Sequence, residues 1–238
     1  MDAVHGGKAV LGGESARHLR RVLRAEPGQR FEVSDNRSAW LAEVAGFGRD
    51  EVEFRLLEPL EEEKLPLRLF LFASLIKFDR FEWLIEKATE LGAEAIVPVQ
   101  AARSDKGLDR AAVRRVGRWR KIALESSQQS RRTRLPRIQD CLSLAEALKA
   151  EADWRCLLDE DRGATPLLAE LPAAGARSSP DRVCLLTGPE GGWTEQERRA
   201  AIDAGWRCVS LGPLILRAET AAVAAMSALM CSWQRIAR

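Results

Sequence analysis

The chain has 238 residues, 46% of them hydrophobic and 30% charged, with a formal net charge of +2. That is the balance of a soluble globular protein with room for one large domain or two small ones. The longest uncharged run, Thr220–Gln234, is too short and too rich in Ala and Ser to cross a bilayer, and five cysteines without a CxxC pair beside two histidines exclude the usual zinc patterns.

Residues 1–66 form the first expected domain, rich in β-structure. A short amphipathic helix, Ala16–Arg24, sets Leu19, Val22 and Leu23 against a face carrying Arg17, Arg20, Arg21 and Arg24. Phe31–Val33, Trp40–Val44 and Val52–Leu57 alternate as strands do, and Ser34-Asp35-Asn36-Arg37 is a hairpin turn signal. The acidic, proline-bounded stretch Glu58–Pro66 reads as a linker.

The second domain, residues 67–238, opens with an apolar strand, Leu67–Leu75. Asp79 is placed to cap a helix carrying Phe81, Leu84, Ile85, Ala88 and Leu91 on one face and ending at Gly92; a strand, Ala95–Val99, follows. Strand, helix and strand with a short return predict a βαβ unit and a parallel sheet. From Arg103 to Arg137 stand twelve Lys or Arg against three acids, whereas Asp50–Lys64 carries seven acids and two bases; this asymmetry in a near-neutral chain points to one face for a polyanion. Within the basic block, Asp109 is placed to cap a helix that turns Val113, Val116, Trp119, Ile122 and Ala123 inward. Helices over Ser143–Ala150 and Pro166–Leu171, a strand over Arg155–Leu158 and a small-residue loop over Ala173–Pro180 complete the middle of the chain. Cys156, Cys184 and Cys208 sit in strand-like runs and read as small buried hydrophobes, consistent with a reducing cytoplasm.

Leu185–Ala222 is the most informative stretch. An apolar strand runs into Gly188-Pro189-Glu190-Gly191-Gly192. Thr194 with Glu197 makes a capping box, and Gly205 ends that helix. A second strand, Arg207–Leu211, runs into Gly212-Pro213-Leu214-Ile215-Leu216, and Arg217 and Glu219 stand at the mouth of an apolar helix, Glu219–Ile236, with Val223, Met226, Leu229, Met230 and Trp233 as its core set. Two strand-ending glycine loops aimed at one place are how α/β proteins build a ligand site. Neither GxxxxGK[ST] nor GxGxxG occurs, and the loops offer backbone amides and apolar side chains, which suit a largely apolar ligand with a few polar edges.

The pair GPEGGW and LGPLILRAETA resembles the cofactor-binding signature of the SPOUT methyltransferases, and in particular the 16S ribosomal RNA uracil-N3 methyltransferase family. HLRRVLRxxxG, LIKFDRFEWLIEKATELGAEAIVPV with Lys77 and Lys87, and RWxKIxxE followed by QSxRxRxP extend the resemblance over nearly the whole chain. Two residues of the basic loop depart from the family pattern: Gln128 stands where glutamate is usual and Arg131 where a small residue is usual. The resemblance implies an N-terminal PUA-like β-barrel that holds RNA and a C-terminal SPOUT α/β domain with a mostly parallel sheet and a deep trefoil knot. It implies S-adenosylmethionine as methyl donor, 16S rRNA as substrate within the small ribosomal subunit, a cytoplasmic homodimer, and no metal or membrane partner.

Carried over by position, the cofactor residues are Leu186, Thr187, Gly188, Pro189, Glu190 and Gly192 in the first loop and Leu211, Gly212, Ile215 and Leu216 in the second. Arg20, Arg24, Lys77, Arg103, Arg132 and Arg134 are the RNA-contact candidates. Uridine N3 carries a proton, so the reacting form is an anion, and a fixed cation beside its oxygens stabilises the transition state. Arg217 is expected in that role. Glu219 either orients Arg217 or takes the N3 proton; orientation is favoured, because a carboxylate beside a guanidinium is a poor base. Leu214 replaces an arginine usual in the family, so a basic function there is either lost or supplied by Arg103 or Arg132. A ribose 2′-O-methyltransferase and a non-catalytic ribosome-assembly protein are the competing readings; the first differs in its product, the second in failing to bind the cofactor.

Overall fold

The computed structural model describes residues 3–61, 64–161, 163–173, 176–177 and 180–234. The chain divides into two compact units, Met1–Lys64 and Leu65–Arg238.

In the first unit β1 (Ala3–His5), β2 (Lys8–Gly12), β3 (Arg30–Ser34), β4 (Ala39–Phe47) and β5 (Glu51–Leu60) form an antiparallel sheet in the order β1-β2-β5-β4-β3. Alternation in β5 turns Val52 and Phe54 inward and Glu51, Glu53 and Arg55 out. Register shifts at Leu41/Ala42 and Val44/Gly46 bend β4 around a small core of Ala9, Leu19, Val44, Val52 and Phe54. The hairpin turn falls where expected: Asn36 is left-handed at φ 70°, and Asp35 Oδ1 accepts from the backbone N–H of Arg37 and Ser38. The helix differs from expectation. α1 (Gly13–Arg21) buries Ala16 and Leu19, but it stops before Val22 and Leu23, which are exposed. Glu58 and Leu60 belong to β5 rather than to the linker, residues 62–63 of which lie outside the described residues.

The second unit has a parallel sheet of β6 (Leu67–Ser74), β7 (Ala95–Gln100), β8 (Arg137–Ile138), β10 (Trp154–Leu158), β11 (Thr165–Pro166), β12 (Asp181–Thr187) and β13 (Arg207–Ser210), ordered β11-β13-β10-β12-β6-β7-β8, with β9 (Leu142–Ser143) also on β7. β6 is buried on both sides, as a central parallel strand must be. Leu67, Leu69 and Leu71 face one core with α2 (Phe78–Glu90), α3 (Leu108–Gln129) and α7 (Ala218–Trp233). Phe70 and Phe72 face the other, with Ala147 and Leu148 at α4 (Leu144–Ala147) and with Ala201 and Trp206 at α6 (Glu195–Asp203). The expected helix over Pro166–Leu171 is the single turn α5 (Leu167–Glu170).

Two caps differ from expectation. α2 starts after Lys77 and α3 after left-handed Gly107, without a side-chain cap bond, so Asp79 and Asp109 sit inside the first turns, where a negative charge still suits the helix dipole. Val113 is exposed rather than inward. α4 carries an unforeseen capping box, Ser143 with Glu146, whereas the Thr194–Glu197 box of α6 is as expected. Helix α7 is assigned to Trp233; Ile236 and part of the loop over Ala173–Pro180 lie outside the described residues. Cys156 and Cys184 are buried and free, and burial pushes the Cys184 thiol up to about 11.

Candidate functional site

The carboxyl ends of β10, β12 and β13, adjacent in the sheet, open into a cavity of about 310 Å³. Its walls are the loop after β12, the loop after β13, residues 158–160 at the end of β10, and Arg80 from α2. Position and volume suit a small-molecule pocket of an open α/β sheet.

The first loop is built by close approach. A Cβ at Gly188 would come within 3.1 Å of the Trp193 ring, and one at Gly191 within 3.1 Å of Arg103 Cβ. Gly192 is left-handed at φ +67°, and a Cβ there would collide with Glu160 Oε1. Buried Trp193 anchors the loop by donating from Nε1 to Leu158 O at 2.8 Å. Arg103 braces it from outside, donating from Nη1 to Gly191 O (2.8 Å) and Trp193 O (3.3 Å). Glu197 ties the same region to the end of β7, since Oε1 accepts from Ala102 N at 2.8 Å. The second loop is presented differently, with Leu214 and Ile215 78% and 82% exposed.

Of the expected cofactor residues, Thr187, Gly188, Pro189, Glu190, Gly192, Leu211, Gly212, Ile215 and Leu216 line the cavity. Leu186 does not: strand alternation turns it into the core with Phe72 and Leu157. Arg217 lines the cavity at the N-cap of α7, is exposed, and makes no side-chain hydrogen bond or ion pair with a described residue. Glu219 therefore does not orient Arg217. It is buried and faces Arg80, whose Nε lies 4.0 Å from Glu219 Oε1 and whose Nη1 donates to Glu190 Oε1. Sequence reasoning missed Arg80 because its partners lie more than a hundred residues away; Glu190 is at a separation of 110. It also missed Asp159, which is buried on the cavity wall and takes the Nε–H of Arg198 at 2.7 Å; that hydrogen bond raises the Arg198 pKa further.

The RNA-contact candidates divide. Arg20 is exposed over the Phe47 ring and, with Arg17, Arg21 and Arg49, lines a surface hollow of about 490 Å³ in the first unit. Arg24 is exposed nearby in a left-handed conformation, φ 51°. Lys77 and Arg134 are exposed. Arg132 is instead a brace: Nη1 donates to Thr89 O (2.7 Å) and Nη2 to Ala93 O (2.9 Å), closing the C-terminal end of α2, and burial lowers its pKa to about 10. With Arg103 committed to the first loop and Arg132 to α2, neither is free to replace the basic group absent at Leu214. Part of the basic block is neutralised as well, since Arg115 and Arg118 share Glu82.

No cluster of His, Cys, Asp and Glu able to hold a metal ion occurs among the described residues, and no described helix is long and apolar enough to cross a membrane. The cavity fits a nucleoside-sized group with an apolar body: glycines where a ligand must approach backbone, Leu211, Ile215 and Leu216 for the flat apolar part, and Glu160 and Glu190 for polar edges.

The chain matches the RNA methyltransferase domain family over residues 63–230 and the RNA methyltransferase PUA domain family over residues 11–57. A Ribosomal RNA small subunit methyltransferase E of Bacillus subtilis (strain 168) is 34% identical over 223 residues, 91% of this chain and 87% of that one. Among solved structures, a Ribosomal RNA small subunit methyltransferase E from Neisseria gonorrhoeae bound to S-adenosyl methionine has a TM-score of 0.86 at 29% identity, covering 98% of this chain and 96% of that one. A putative methyltransferase from Legionella pneumophila in complex with the cofactor SAM has a TM-score of 0.83 at 26% identity, covering 95% and 93%.

Proposed function

Because the chain belongs to the RNA methyltransferase family, matched over residues 63–230, we propose that it methylates N3 of a uridine in 16S ribosomal RNA with S-adenosylmethionine as donor. It is an rRNA methyltransferase with a SPOUT-class α/β domain and a PUA-like antiparallel domain. The observation that carries the N3 reading is an exposed Arg217, without a side-chain partner among the described residues, on the rim of a cavity walled by two glycine loops.

S-adenosylmethionine bound in this cavity would supply the methyl group, from a sulfonium that becomes a neutral thioether, to a uridine N3 whose proton has already passed to solvent. The chain's task is placement and charge. Gly188, Gly192 and Gly212 let backbone close on the cofactor, while Leu211, Ile215 and Leu216 cover its apolar part and keep water from the reacting atoms. Arg217 supplies a fixed cation for the charge spread onto O2 and O4 of the uridine anion. No metal is needed for this chemistry. The exposed arginines of the first unit and of the 103–137 block meet phosphates and set the register of the RNA without reading its sequence.

Two finer readings accompany this one. The substrate is the small ribosomal subunit in the cytoplasm. The working form is a homodimer, supported by the apolar loop at Leu214 and Ile215; a monomer by light scattering at micromolar concentration refutes it. The decisive experiment incubates the protein with methyl-labelled S-adenosylmethionine and 16S rRNA, free or in subunits, and identifies the labelled nucleoside by mass spectrometry. N3-methyluridine is expected. A ribose-methylated nucleoside refutes the base reading, and absence of label together with absence of cofactor binding leaves only RNA binding.

A further inference from the structure

The cavity wall carries a charge imbalance that the transfer step does not use. Arg80 reaches from α2 to both halves of the site. Its Nη1 donates to Glu190 on the first loop, and its Nε stands 4.0 Å from Glu219 Oε1 in the first turn of α7. One guanidinium thus serves two carboxylates, and the second oxygen of Glu219, Oε2, is buried without a hydrogen-bond partner among the described residues. The other charges at the wall do not redress this. Asp159 is matched by Arg198 at 2.7 Å, Glu160 adds a third carboxylate, and Arg217 points its cation to the exposed rim. Apart from the Asp159–Arg198 pair, three carboxylates stand against two guanidiniums.

The methyl donor and its spent product differ by one methyl group and one unit of charge, because the sulfonium is cationic and the thioether neutral. A wall with excess negative charge therefore separates them, where shape alone hardly can. We propose that the Arg80–Glu190–Glu219 cluster makes the cofactor site selective for the charged donor over the neutral product, with Arg80 as the positioning residue that holds both carboxylates beside the cavity. The inference rests on the reading of this cavity as the S-adenosylmethionine site. Its consequence is kinetic: transfer of the methyl group removes the charge the wall favours, so the product is released and the next donor bound.

The test is calorimetry on the full chain without RNA, titrating S-adenosylmethionine and S-adenosylhomocysteine separately. The parent binds the donor more tightly. Glu219→Gln and Glu190→Gln lower the affinity for the donor more than that for the thioether, so that the donor preference falls, each on the order of tenfold, the scale of one unit charge across about 10 Å at an effective dielectric of roughly 25. The preference also falls with added salt. Arg80→Gln weakens both ligands because it frees the first loop and the start of α7, while the carboxylates left without their cation keep or enlarge the donor preference, and Arg80→Lys restores part of the lost affinity. Glu190 is largely exposed, so its isosteric variant folds even if Glu219→Gln does not. Equal weakening of both ligands by the two glutamine variants, or a parent preference that neither variant changes, overturns the proposal and leaves the cluster a mere brace. A parent that binds neither ligand overturns the cofactor reading itself, and this inference falls with it.

Discussion

Replacing Arg217 with alanine separates a catalytic cation from a structural one. The side chain is exposed, forms no cap bond at the start of α7, and has no partner among the described residues, so its removal breaks no interaction that holds the fold. Stability should stay within about 0.5 kcal/mol of the parent, the ordinary range for a surface substitution. Donor affinity should not fall, because the cavity wall at Gly212, Ile215 and Leu216 is built on backbone and apolar groups and loss of a cation leaves the wall no less favourable to a sulfonium. Turnover should fall by on the order of a hundredfold to a thousandfold, about 3 to 4 kcal/mol, the effect of removing one preorganised donor from a developing anion. Arg217→Lys should recover only part, since it keeps the charge but loses the planar fork. Single-turnover rates on 16S rRNA from neutral to alkaline pH give a second readout: rising pH ionises uridine N3–H, so the alanine variant should gain more from alkali than the parent does. Loss of donor affinity in step with rate, together with a flat pH profile, refutes the assignment. Bracing through Glu219 is already disfavoured, because Glu219 faces Arg80.

Arg132→Ala should behave as a stability variant rather than an RNA variant. It leaves Ala93 O without the guanidinium donor and removes one of the donors to Thr89 O, which keeps the Gly92 N–H, and should cost about 2 kcal/mol, lowering Tm by roughly 4 to 8 °C by calorimetry, with RNA affinity at low temperature little changed. Arg20→Ala with Arg24→Ala should weaken RNA binding, leave donor affinity alone and flatten the salt dependence by about one unit of slope for each phosphate no longer neutralised; normal binding at every salt concentration refutes the first unit as an RNA platform. The paired hydrogen bonds from Arg68, at 2.7 and 2.8 Å, hold the Glu94 carboxyl below the usual glutamate range. A depressed native value stabilises the fold above the ordinary value of about 4.3, and that stability is lost as pH falls through the native value. Glu94→Gln should therefore cost up to about 1 kcal/mol at neutral pH, and thermal melts of variant and parent should converge below that window.

What the sequence makes legible here follows the range of the interactions. The capping box at Thr194, the left-handed turn at Asn36, the βαβ unit over residues 67–99 and the two glycine loops depend on neighbours a few residues apart, and each lies where its residues place it. Helix starts depart from expectation where the backbone alone begins the helix: nothing about Lys77 or Gly107 marks a start as plainly as the acid two residues later suggests one. The largest revision concerns the arginines. In the sequence Arg103 and Arg132 stand in a basic block near RNA-binding motifs, which makes phosphate their natural partner, Arg217 is expected at the uridine anion, and Arg80 carries no assignment. The fold assigns them to different work. Arg132 meets carbonyls 43 and 39 residues away, Arg103 meets the first loop across 88 residues, and Arg80 meets the same loop across 110 while facing Glu219 in the first turn of α7. Among the described residues, Arg217 is left with an unengaged guanidinium at the cavity. A cation with no partner among the described residues is the one available to an anion that arrives with the substrate, and that distinction follows from long-range packing, which local pattern does not carry.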